Sequence, residues 1–154
     1  MQRTTPPYRA DHVGSLLRPQ ALKEARAKRD RNEIMAEALA AIEDREIERV
    51  IRKQEELGLK LATDGELRRT WWQFDFFRGL DGVEMYTADR GIQFHGVTTK
   101  SHALKIDAKI GFSGHPMIEH FRFVMANTRV APKMTIPSPA IAHFRSDRAE
   151  IRQI

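Results

Sequence analysis

The chain of 154 residues contains no cysteine. Its own side chains therefore supply no disulfide, no thiolate metal ligand and no cysteine nucleophile. Long apolar runs are also missing: nothing approaches the roughly 20 residues of a membrane-spanning helix. The N-terminal stretch from Met1 to Pro7 has no apolar segment, which argues against a secretory signal. There is no Gly-x-Ser-x-Gly elbow, no phosphate-binding loop and no dinucleotide fingerprint. The histidines number six, and none falls in a His-x-x-x-His or His-Glu-x-x-His pattern. His115 and His120, five apart, do not share a helical face. A complete zinc site within the chain is not expected.

What is present reads as one soluble α/β domain. Hydrophobic residues make up 41% and charged residues 31%, the balance of a soluble, globular protein, and nothing in the sequence points away from a cytoplasmic location. The length suffices to bury a core. The formal net charge of +5 raises a nucleic-acid partner. The basic residues between Glu43 and Glu56 are interleaved with acids, however, as on a solvated helix face. No nucleic-acid or membrane partner is expected.

Along the chain, residues 1–8 read as a flexible arm around Pro6-Pro7, and 9–154 as the folded domain. Arg9 to Leu17 predicts a short strand running into a loop at Gly14-Ser15. Pro19 suits a first helical turn, with a helix over Ala21 to Arg31. Ile34, Ala38, Leu39 and Ile42 predict a second helical piece. Asp44 is placed to cap a third, with Ile47, Val50, Ile51, Gln54 and Leu57 on one face. Glu48 and Arg52 stand four apart in the favourable order. Gly58 suits the position after a helix end, and Leu59 to Thr63 follow as a strand. Trp71 to Phe77 read as a core helix, with a stacking platform as the alternative. Val83 to Phe94 and Leu104 to Ile110 predict paired antiparallel strands around a polar loop, Gly96 to His102. His115-Pro116 opens a further helix, and Ala131 to Ile136 form a third parallel strand ending at Pro137-Ser138-Pro139. The order gives about three parallel strand–helix units with an inserted β-hairpin, the N-terminal portion of a barrel.

Two polar strand exits gather the chemistry: Asp11-His12-Val13-Gly14-Ser15 and Thr63-Asp64-Gly65-Glu66-Leu67-Arg68-Arg69. Such exits are where parallel α/β folds bind ligands. Glu66 is suited to a substrate ammonium. Ser15, with the backbone N–H groups around Gly14, is suited to a carboxylate. Together they fit an amino acid. Asp64 and Glu66 could alternatively act as a carboxylate pair in glycoside cleavage, although Gly65 between them points to a turn. His12 is a further candidate beside Gly14-Ser15; a histidine bonded to a backbone carbonyl is the plainer alternative.

"DHVGSLLRP" at 11–19, "QEELGLKLATDGELRRTWW" at 54–72 and "PKMTIPSPAIAHF" at 132–144 resemble the cobalamin-independent methionine synthase family. The likeness is to its C-terminal catalytic barrel and to its short, single-barrel bacterial members. The resemblance implies a (β/α)8 TIM barrel and a methyltransferase of methionine biosynthesis, the 5-methyltetrahydropteroyltriglutamate–homocysteine S-methyltransferase activity. Methyltetrahydrofolate is the implied donor, and homocysteine or another small thiol the acceptor. Zinc is the implied cofactor, favouring the nucleophilic thiolate. By resemblance, Gly14 and Ser15 match the segment holding the homocysteine backbone, Glu66 the acid meeting its ammonium, and Pro137 to Pro139 the turn near the pterin. The family's zinc ligands (a histidine, a glutamate and cysteines) come from later strands, with no counterpart up to Ile154. The expectation is a truncated form, inactive alone. The alternative is a non-catalytic half-barrel that associates with a second copy or a complementing chain.

Overall fold

A computed structural model describes residues 12–87, 93–94, 97–98 and 102–141. The expected arm over 1–8, Asp11, most of the loop from Gly96 to His102, and the polar end from Ser146 lie outside the described residues. The chain divides into two compact units, one holding 1–69 and 117–135, the other 70–116 and 136–154.

The first unit is built on two helices. Helix α1 spans Gln20–Asp30 and helix α2 spans Ala36–Glu56. Pro19 stands just outside α1, where its carbonyl accepts the Leu22 and Lys23 N–H groups. The break expected at Asp44 is absent: α2 runs through it as one helix of 21 residues. Asp44 instead pairs with Arg68, a use of its carboxylate that no local pattern reveals. Arg52 likewise meets Glu55 at 3.0 Å, where a partner at Glu48 was expected. Leu22 of α1 packs on Ile47 and Ile51 of α2, all at 0% exposure, with Leu67 and Val124 in the same cluster. Each such side chain contributes about 1.5–3 kcal/mol when fully buried.

Gly58 ends α2 as its position suggests. With φ of +79°, it donates its N–H to Glu55 O, while Leu59 N–H reaches Gln54 O. This paired closure satisfies the last helical carbonyls. Strand β1, Leu61–Ala62, follows directly. The second unit intervenes before helix α4, Pro116–Asn127, which leads back into the first unit. Strand β6, Ala131–Pro132, then pairs parallel with β1, Leu61 opposite Ala131 and Ala62 opposite Pro132. The ladder takes its N–H groups from Ala131 and Lys133. The missing N–H of Pro132 therefore falls on the side away from β1, and the proline is tolerated.

The expected three parallel strands thus reduce, among the described residues, to one pair. The stretch from Arg9 to Leu17 is not a strand in its described part, 12–17. Gly14 has φ of +89°, and the Leu16 N–H is bonded to Gly65 O rather than to a ladder. The strand over Ala131 to Ile136 is likewise shorter than expected.

The second unit is the antiparallel excursion. Strand β2, Asp81–Thr87, pairs antiparallel with β5, His102–Gly111, and β3, Gln93–Phe94, pairs with β4, Val97–Thr98. The aromatic stretch forms only a single helical turn, α3, Phe74–Phe77. Asp75 holds its start by accepting the Thr70 and Trp71 N–H groups. Phe74 and Phe77 are buried with Leu104, whereas Trp72 is 45% exposed.

Candidate functional site

The segment after β1 is a tight polar turn in the first unit. Gln54, on the inner face of α2, donates its Nε2 hydrogen to Thr63 O at 2.8 Å and accepts the Thr63 N–H at 3.1 Å. The strand exit is thereby bonded by a side chain. Thr63 Oγ1 accepts the Gly65 N–H at 3.1 Å, and Asp64 Oδ1 accepts the Glu66 N–H at 2.8 Å. Two successive residues are left-handed, Gly65 at +62° and Glu66 at +53°. Glycine takes this conformation freely, but a glutamate there is strained by about 1–2 kcal/mol. Strain of this kind, held by surrounding bonds, collects at functional sites.

The turn aims Glu66 at the other polar loop. Arg69 Nε donates to Glu66 Oε2 at 2.6 Å, and Arg69 Nη2 donates to Ser15 Oγ at 3.1 Å. Ser15 and Arg69 are 54 positions apart in sequence. The two loops also meet through their backbones, Leu16 N–H to Gly65 O at 3.0 Å. They lie so close that a Cβ on Gly65 would come within 3.1 Å of Leu16 Cδ1.

A cationic frame holds the turn from behind. The Arg69 carbonyl accepts hydrogens from Arg18 Nη2 at 2.8 Å and Arg26 Nη1 at 2.9 Å. Arg26 also donates to Leu67 O at 2.6 Å. Glu43 lies between Arg26 and Arg68, at 3.3 and 3.6 Å, and the Arg68 guanidinium sits over the Phe123 ring at 5.1 Å. Burial pushes the Glu43 carboxyl upward from its ordinary range, against the pull of the two arginines. The backbone of Arg69 is thus fixed while its side chain faces the loop of Ser15.

All five residues singled out in the sequence lie on these two loops. Ser15 is exposed and Gly14 half-buried. The Glu66 side chain keeps 14% of its exposure. Asp64 is buried, at 7%. Burial raises its carboxyl above the usual range, and the Glu66 charge acts in the same direction. One of its oxygens shapes the turn instead of facing a ligand. The carboxylate pair weighed as an alternative is held in a turn, with Asp64 buried and Glu66 half-buried. His12 donates its Nε2 hydrogen to Gly14 O at 2.8 Å, the plainer of its two sequence readings, and Lys133 Nζ donates to His12 O at 2.8 Å. Sequence reading missed the roles of Gln54, Arg18, Arg26 and Lys133. Gln54 alone carried a signal, a polar residue on the apolar face of α2.

No group of three or more histidine, aspartate or glutamate side chains among the described residues is arranged to hold a metal ion. Those residues do not fit a zinc site. His115 Nε2 bonds to Phe76 O at 2.8 Å, and His95 and His143 lie outside the described residues. Among the described residues no helix is long and apolar enough to cross a membrane.

The fold is therefore an α/β one with a parallel strand pair and a polar loop site at the strand exit. Residues 9–109 match the family described as the cobalamin-independent synthase, catalytic domain, and the chain belongs to that family. It is 51% identical to the uncharacterized protein YxjG of Bacillus subtilis over 94% of its own length and 39% of that protein. It is 48% identical to the uncharacterized protein YxjH of the same organism, over 90% of this chain and 37% of that one. The chain spans about two fifths of the length of these curated relatives. A crystal structure from Listeria monocytogenes, described as a candidate vitamin-B12-independent methionine synthase, superposes with a TM-score of 0.76. The sequence identity is 42%, covering 94% of this chain and 41% of that one.

Proposed function

We propose that this chain forms the amino-acid-binding corner of a methyltransferase of methionine biosynthesis, on the opening portion of a (β/α)8 barrel over residues 9–154. The acceptor is homocysteine or a similar small thiol amino acid, and methyltetrahydrofolate is the methyl donor. The observation that carries this reading is the union of Ser15 and Glu66 through Arg69, two loops distant in sequence joined by 2.6 and 3.1 Å bonds. The Glu66 carboxylate takes the ammonium group. Ser15, with the backbone around Gly14, takes the carboxylate. Asp64 holds the turn that presents Glu66, and His12 holds the loop that presents Ser15. Zinc, where bound in this family, lowers the pKa of the acceptor thiol. The roles proposed for the described residues are the binding and orientation of the acceptor.

Calorimetric titration of the chain with L-homocysteine tests the proposal. Removing a charge-assisted bond costs about 1.5–3 kcal/mol, so Glu66→Gln weakens binding by about 10- to 150-fold. Unchanged affinity in that variant contradicts the assignment.

A second reading is a non-catalytic half-barrel that docks on a complementing chain or on its own copy. The exposure of two apolar side chains near the site, Leu17 at 96% and Val13 at 66%, favours it. Sedimentation of the chain alone separates the two: a lasting dimer without amino-acid binding supports the second.

A further inference from the structure

One oxygen of Glu66 is already engaged by a cation of the chain itself. Its Oε2 is occupied by Arg69, and Arg69 at the same time occupies Ser15 Oγ. One guanidinium thus sits on both groups assigned to the ligand, the anion that would meet an ammonium and the hydroxyl that would meet a carboxylate. Three features bear on what happens when a ligand arrives. The Arg69 backbone is fixed by Arg18 and Arg26, so its side chain can swing without moving the turn. The Arg69 and Glu66 side chains keep 24% and 14% exposure, so water and small solutes reach the pair. Both charges are nonetheless largely desolvated, so simply separating them is unfavourable.

A ligand carrying both charges removes that obstacle. Its ammonium replaces Arg69 on Glu66, and its carboxylate replaces Glu66 on Arg69. Every charge is paired before and after. A singly charged ligand that displaces its counterpart from the pair leaves the other member without that partner. We propose that Arg69 is a specificity-determining residue: its ion pair with Glu66 opens only for a zwitterionic α-amino acid, whose carboxylate it then binds beside Ser15. No covalent change is involved, and selection follows from the difference in affinity between ligands with one and with two charges. The inference rests on the amino-acid-binding reading above and adds the identity of the carboxylate partner and the reason for rejecting half-charged analogues.

The test is calorimetry on the chain with three probes: L-homocysteine, its decarboxylated analogue (a mercaptopropylamine) and its desamino analogue (a mercaptobutyrate). The native chain is expected to prefer homocysteine to both analogues by at least about tenfold, the scale of one charge-assisted bond. Arg69→Ala is expected to lose the preference over the decarboxylated analogue, bringing the two within about twofold. Its preference over the desamino analogue, set by Glu66, remains. Arg69→Lys recovers part of the lost preference, because charge returns without the fork geometry. An Arg69→Ala variant that still prefers homocysteine over the decarboxylated analogue overturns the inference while leaving the binding reading intact. A Glu66→Gln variant with unaltered homocysteine affinity, or a native chain that binds none of the probes, overturns both. Should Arg69→Ala not fold, the Arg69 Nε–H resonance of the native chain decides. It moves on saturation with homocysteine if the partner exchange occurs, and a resonance that stays in place refutes it.

Discussion

Gln54 grips Thr63 from both sides, donating to its carbonyl at 2.8 Å and accepting its N–H at 3.1 Å. A side-chain amide here plays the part of a neighbouring strand. It ties the inner face of α2 to the position where β1 gives way to the polar turn, and both residues are buried.

Removal of this grip is expected to be expensive. Gln54→Ala leaves a buried N–H and a buried carbonyl without partners, at about 1–3 kcal/mol each. Gln54→Glu keeps one acceptor but loses the donor and buries a charge. Urea denaturation should show both variants less stable by at least about 2 kcal/mol. A loss under about 0.5 kcal/mol would mean water replaces the amide.

Gly65 and Glu66 share a left-handed backbone but should respond oppositely to substitution. Gly65→Ala meets both φ of +62° and the Leu16 side chain, and should cost about 1–3 kcal/mol. Glu66→Gly relieves strain and should stay within about 1 kcal/mol of the native stability, yet abolish amino-acid binding. Thermal melts read beside calorimetry check the pair of outcomes.

Asp64 should give an inverted pH signature. Its folded carboxyl lies above the ordinary value of 3.8, because burial disfavours the charge. Between these two values the folded state holds more protons than the unfolded one. Its contribution to stability is complete below the ordinary value and is lost as pH rises through the folded one. Asp64→Asn preserves the acceptor for the Glu66 N–H and removes the titration. The expected result is a flatter stability–pH curve above the ordinary aspartate range and a neutral-pH stability at least equal to the native one. A steeper curve would contradict the assignment.

Glu55 should behave in the conventional sense. The Arg129 N–H donates to its Oε1 at 2.7 Å, Thr128 adds a hydroxyl bond, and Arg52 lies on the other oxygen. These partners, the Arg129 N–H first, hold the carboxyl below the ordinary 4.5. The resulting stability is present above that value and disappears as pH falls through the folded one. Glu55→Gln should therefore be less stable than the native chain at neutral pH and indistinguishable from it in strong acid. A deficit that persists at low pH would point to packing instead of charge.

The contrast between Gly58 and Asp44 indicates how much was legible in the letters. A helix end closed by glycine depends on residues within a few positions, so Gly58 could be placed from its neighbours alone. Asp44 carried an equally good local signal for a helix start, but α2 runs through it and its carboxylate answers Arg68, 24 positions away. The expected strand from Arg9 to Leu17 shows the same limit in its described part, 12–17, which is not a strand. There the Leu16 N–H bonds to Gly65 O, a choice no alternation pattern encodes.

Legible in the letters were the helical stretches apart from the join at Asp44, the antiparallel excursion, the family and the two polar loops with Ser15 and Glu66 on them. Each of these is written in spacing, turn residues or motif letters that act over short range. That Arg69 stands between those two residues, that Asp64 turns inward, and that Gln54 and Arg26 hold the turn in place came from packing in three dimensions. Those outcomes depend on which distant groups end up desolvated side by side. A buried charge or amide takes whatever partner the packed core leaves within reach, and that is settled by packing and not by position along the chain.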